Sequence, residues 1–89
     1  MSQIQIERAG MQRDDEDHFI GYTIFAYEGH AEPYEITFHS KDGRNWDYSL
    51  NFADEPGLEE QFLAVDELIE NNDDLFDDLL DAAIEAGDL

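Results

Sequence analysis

Polar and apolar residues alternate through most of the first half of the chain. "QIQIE" (3–7) places Ile4 and Ile6 on one face, and "HFIGYTIFAYE" (18–28) is a longer alternating run. "YEITFHS" (34–40) turns Tyr34, Ile36 and Phe38 one way and Glu35, Thr37 and His39 the other. "NWDYSLNF" (45–52) does the same with Trp46, Tyr48, Leu50 and Phe52. A period of two is the mark of half-buried strands. The segment 9–17 reads as a polar loop and 29–33 as a turn.

Phase sets the expected pairing. A two-residue turn at Asp42-Gly43 would oppose Phe38 to Asp47, on mismatched faces. A three-residue loop, Lys41-Asp42-Gly43, pairs Ser40 with Arg44 and Phe38 with Trp46, with Gly43 in the left-handed position such a loop needs. The same test across 29–33 pairs Glu28 with Tyr34 and Ile24 with Phe38. That assignment turns Ile20, Tyr22, Ile24 and Ala26 inward. It leaves Phe19, Phe25 and Tyr27 on the opposite face, either as an apolar contact patch or under a second cover such as the 9–17 loop or a dimer partner.

After Phe52 the period changes. "ADEPG" (53–57) offers Asp54 as an N-cap and Pro56 in a first turn. Leu58, Phe62, Val65 and Ile69 then recur at helical spacing. Asn71-Asn72 interrupts. Ile69 and Phe76 are a heptad apart, so one long helix would keep phase, but Asn is a weak helix former and a good N-cap. The reading is therefore two helices joined near Asn71. Leu75, Phe76, Leu79, Leu80 and Ala83 form the inward set of the second, and Gly87 closes it. The expected fold is α+β: an antiparallel meander of three to four strands at about 3–52, then two C-terminal amphipathic helices, about 55–71 and 72–86, packed on one face of the sheet. The whole chain, 1–89, reads as one domain.

Composition supports a folded chain, with 42% hydrophobic and 12% aromatic residues. There is no Cys, hence no disulfide and no thiolate chemistry. No signal-like segment and no long apolar run is seen, so a cytoplasmic location is expected.

Charge changes the picture most. The chain has 24 acidic and 4 basic residues, a formal net charge of −20. Residues 1–45 hold 9 of the acids and every base; residues 46–89 hold 15 acids and no Lys or Arg. Such a surface repels nucleic acid and anionic membranes and attracts basic proteins.

The chain carries few of the residue patterns that catalysis uses. His18, His30 and His39 lack the close ligand pair that zinc sites use. The windows starting at Asp14 and Asn72 place Phe19 and Asp77 where a calcium loop needs Gly. No nucleophile elbow or phosphate loop occurs, and with so many acids a carboxylate pair carries no information. No cofactor, metal or enzymatic activity is expected.

The second helix carries the sharpest signal. Asp74, Asp77, Asp78, Asp81 and Glu85 oppose its apolar stripe, with Asp73 at the edge. Like charges at i,i+4 destabilise a helix by about 0.2–0.5 kcal/mol per pair, and Asp is a poorer helix former than Glu. A merely solvated face would mix signs; this one has no cation. Short, stiff carboxylates in rows imitate phosphates. In charge, size and lack of catalytic motifs the chain resembles nucleic-acid-mimic inhibitors of the antirestriction and anti-CRISPR type, with no shared motif to align. That resemblance implies a decoy that occupies the basic site of a nucleic-acid-binding protein or nuclease complex, without binding nucleic acid itself. Its expected contact residues are Asp73, Asp74, Asp77, Asp78, Asp81 and Glu85, joined by Glu67 and Glu70 of the first helix. Glu59 and Glu60 lie on that helix too. Alternatives are an immunity or adaptor module with a basic partner unrelated to nucleic acid, or a halophile's acidic protein. Oligomeric state is left open.

Overall fold

The computed structural model describes residues 3–87. Four strands, β1 (Ile4–Arg13), β2 (Phe19–Tyr27), β3 (Tyr34–Ser40) and β4 (Asp47–Phe52), precede two helices, α1 (Glu59–Asn71) and α2 (Asp73–Gly87). The strands form one antiparallel sheet in the order β1-β2-β3-β4, as expected of a meander. The helices cover one face, with α2 packed on β1 and β2.

Three expectations about the strands are corrected. The 9–17 loop is mostly strand: β1 runs on to Arg13 and buries Met11. The connection shrinks to a turn in which Asp14 Oδ1 accepts from the backbone N–H groups of Glu16 (2.8 Å) and His18 (2.9 Å). Asp17 adopts a positive φ of 64°, a conformation Asp tolerates better than most residues. A bulge between Ile6 and Arg8 keeps the strand in phase on both sides. The sequence at 9–12 hides this strand because Gly10 is a poor strand former. In the fold, Gly10 lies opposite Tyr22, whose ring covers it, and Gly21 lies opposite Met11.

The second correction concerns β2. Phe25 pairs with Tyr34, Thr23 with Ile36 and Gly21 with Phe38. This register lies three residues from the expected one. An odd shift exchanges the faces. Phe25 and Thr23 are completely buried, whereas Ile20, Tyr22, Ile24 and Ala26 point away from the helices. Phe19, Phe25 and Tyr27 are therefore core-side residues, not an exposed patch. Both faces of β2 are apolar, so alternation could not choose between them. Approach of α2 does: the Thr23 hydroxyl donates to the Leu79 carbonyl across 2.8 Å, and the Met11 side chain fills the space over Gly21.

The β3–β4 connection keeps the expected faces but shifts by two. Phe38 opposes Tyr48, not Trp46. The loop widens around the Asp42 carboxylate, which accepts from the N–H groups of Arg44 (2.8 Å) and Asn45 (3.0 Å). Gly43 takes the expected left-handed conformation, φ 77°. Trp46, freed from the ladder, closes the end of the core against Phe19 and Phe38.

The helix boundaries follow local chemistry. Asp54 does not cap α1, which begins only after Leu58 and has no side-chain cap. Pro56 disfavours the α region for Glu55, and Gly57 is a weak helix former, so the segment stays irregular. Two helices form, as expected, and meet at Asn71-Asn72. Asn71 Nδ2 donates to the Glu67 carbonyl of α1 (2.9 Å), and Asn72 Oδ1 accepts from the Leu75 N–H of α2 (3.2 Å). α2 runs to Gly87, the last described residue, so the expected closure of the helix there lies outside the described residues. The φ of Gly87 is not positive; a Cβ there would stand 2.5 Å from Met11 Cβ and 2.8 Å from the Met11 carbonyl oxygen. It is a close-approach glycine that seats the helix on β1.

The core lies between the layers. Phe25, Tyr34, Ile36, Phe38, Val65 and Leu79 are each at most 1% exposed. Phe62 of α1 packs on Phe52 and Tyr34, and Phe76 of α2 on Phe38 and Tyr48.

Candidate functional site

The side chains that anchor α2 also fix where its carboxylates point. Leu79 and Ala83 are fully buried and Leu80 nearly so, with Leu75 and Phe76 half-buried beside them. At about 100° per residue, that stripe turns Asp81 directly outward, with Asp74, Asp77, Asp78 and Glu85 within about 60° of it. Asp73, Asp74, Asp77, Asp78, Asp81 and Glu85 are all exposed. Glu67 and Glu70 are exposed on α1, as are Glu59 and Glu60 in its first turn. No basic residue occurs in the last turn of either helix. The sequence-selected acids thus lie on the helical layer, opposite the sheet. The two helices contribute to one layer because they pack on each other and join at Asn72.

The layer is not uniform. Asp74 and Asp78 rim a groove of about 250 Å³ at the α1–α2 junction, floored by Ile4, Tyr27, Leu68 and Leu75. On the other flank, Tyr48 of β4 donates to Asp66 Oδ1 across 3.4 Å. Burial raises the Tyr48 phenol to about 12, and the charges of Asp66 and Glu70 add to the shift. Glu70 therefore sits beside the sheet edge as well as on the acidic surface.

Exposed leucines were missed by the sequence reading. Leu63 is 56% exposed and Leu68 36%. Both fall off the Leu58, Phe62, Val65, Ile69 stripe, which was the available signal. Leu58, counted within that stripe, is itself 51% exposed.

The histidines lie elsewhere. His18 and His39 meet edge to face at 5.3 Å, and His18 Nδ1 stands 3.6 Å from Asp14 Oδ2. The His18 N–H bond to Asp14 holds that carboxyl below its usual range. His30 Nδ1 lies 2.9 Å from the Tyr34 hydroxyl, against the core. Among the described residues no three His, Asp or Glu side chains converge as a metal-binding group. Nor is any described helix long and apolar enough to cross a membrane. Compared with known proteins, the chain matches no family model and has no significant match among curated proteins or solved structures.

Proposed function

We propose that this chain is a small acidic binding protein, not an enzyme, and that it acts as a nucleic-acid decoy. Its helical layer occupies the basic site of a nucleic-acid-binding protein or nuclease complex in the cytoplasm, in the manner of antirestriction and anti-CRISPR inhibitors. One observation carries the reading: the α2 carboxylates are held outward by a buried apolar stripe, all exposed and with no cation on the helix. Asp keeps each charge close to the backbone, so the array costs little ordering entropy on binding. A target that gathers phosphates through Lys and Arg would meet fixed charges instead. No cofactor enters the reading.

The test is capture from host extract with identification by mass spectrometry, followed by competition. Excess DNA or RNA should displace the captured protein. The Asp77→Asn/Asp78→Asn/Asp81→Asn variant should fold at least as well and lose capture. Full binding by that variant would remove α2 as the interface.

A second reading is favoured by Leu63 and Leu68, exposed among the α1 acids. An interaction module for a basic protein unrelated to nucleic acid would use such apolar contacts. Capture would then survive excess nucleic acid and weaken on Leu63→Ser.

A further inference from the structure

Among the described residues no helix covers the outer face of the sheet, yet the inner strand β2 is apolar there. Ile20, Tyr22, Ile24 and Ala26 run down the outward side of β2, and Ile20 is 38% exposed. On a solvated antiparallel face these positions ordinarily alternate to polar residues. Beside them a groove of about 490 Å³ opens at the Gly10–Gly21 end of the sheet, walled on this face by Ile20, Tyr22 and Thr37 and reaching Ala86 and Gly87 of α2 on the other.

We propose that a second copy of this chain packs on this face, sheet against sheet, about a two-fold axis parallel to β2. The inference is independent of the acidic-layer reading. Charge complementarity within one row selects the occupant. Arg8 pairs with Ile24 and Ile24 with Glu35, so a cation and an anion flank an apolar centre on neighbouring strands. They stand about 10 Å apart, two strand spacings. The two-fold operation lays Ile24 on its own copy and β1 of each chain over β3 of the other. Arg8 then meets Glu35 of the partner subunit, twice, as an isologous interface requires. In the next row, formed by Gly10, Tyr22 and Thr37, the Tyr22 ring lies over Gly10, and the same operation sets that ring against Thr37 of the partner subunit.

The overall charge points the same way. Arg8 and Arg13 lie on β1, and Lys41 and Arg44 in the β3–β4 loop, so every base is carried by the sheet and its loops and none by the helices, although Arg13 lies over Phe19 on the core-facing side. Packed sheets stand about 10 Å apart, and the acidic helices lie on the far side of each. They are then separated by well over the ~8 Å Debye length at physiological salt. Any dimer through the helices would instead bring the acidic layers together. The overlapping strands, β1 to β3 of each chain, span about 15 by 20 Å in projection, three strand spacings by six residues. That places the contact at the small end of the interface range, where association is reversible and concentration-dependent.

Sedimentation equilibrium of the full chain, at rising concentration in about 0.5 M salt to screen the net charge, should show a monomer–dimer equilibrium. Arg8→Glu and Glu35→Arg should each be monomeric, while an equimolar mixture of the two should dimerise again. Ile24→Glu should abolish association, and Arg44→Glu, the same charge change off the face, should leave it intact. Circular dichroism confirms the fold of each variant. A monomer at every concentration and salt overturns the proposal. So does a dimer indifferent to the Arg8, Glu35 and Ile24 variants, or a failure of the two single variants to associate when mixed.

Discussion

Tyr48 shows how one side chain joins the sheet edge to the acidic layer. Its ring packs on Phe76 while its hydroxyl faces Asp66, with the Glu70 charge nearby. Burial and these anions hold the phenol protonated to about pH 12. The unfolded phenol ionises near 10. A folded-state pKa raised in this way stabilises the fold fully below about pH 10, and the contribution is lost as pH rises through about 12. Alkaline titration of the thermal midpoint should therefore show a fall across pH 10–12 that Tyr48→Phe reduces. An equal fall in both proteins would assign it to other groups. Asp42 works in the opposite direction. Bonds from the Asn45 and Arg44 N–H groups hold its carboxyl near 2, so its contribution is present above about pH 4 and fades as pH falls toward 2. The type of residue at Asp42 was legible as a turn former; the wide loop around it was not, because the loop depends on which N–H groups the folded chain leaves free.

At the scale of elements, Asn71-Asn72 is the joint that sets one acidic helix against the other. Asn72 leaves the helical region (φ −128°, ψ 96°), yet its side chain caps the following helix. Asn72→Ala should cost about 1 kcal/mol by loss of the cap. Denaturant unfolding measures it, and no loss of stability would mean that the break rests on packing alone. Apolar period and Asn chemistry made this joint readable from sequence. The β2–β3 register was not readable, because both sides of β2 are apolar and only contact with α2 distinguishes them. Acid at Asp77, Asp78 and Asp81 has no folding role that either level supplies. It is exposed, beyond the first turn and without a counter-charge on the helix. That residue choice is the reason for looking outward, to a partner.

Across the whole molecule, charge is segregated by layer. With −20 on 89 residues, self-repulsion opposes the compact state, and the densest part of it lies on the helices. The thermal midpoint should rise with added salt as repulsion is screened. Asp77→Asn/Asp78→Asn/Asp81→Asn should raise it most in dilute buffer and little in concentrated salt. A cooperative melt in dilute buffer would count against the halophile reading, which requires salt for folding.

What the sequence determined alone is local and periodic. Strand and helix periods, the left-handed glycine at 43, the Asn joint and the concentration of acid after residue 45 all follow from near neighbours or from counting. Tertiary structure decided which face of β2 is buried, how far β1 runs, and why Gly87 is glycine. Each of these depends on α2 settling over β1 and β2, a contact between segments more than fifty residues apart. Thr23 reaches the Leu79 carbonyl, and Met11 fills the space that Gly21 and Gly87 leave. The reason is physical: where both faces of a strand are equally apolar, transfer free energy is indifferent between them, and shape complementarity with the covering helix makes the choice.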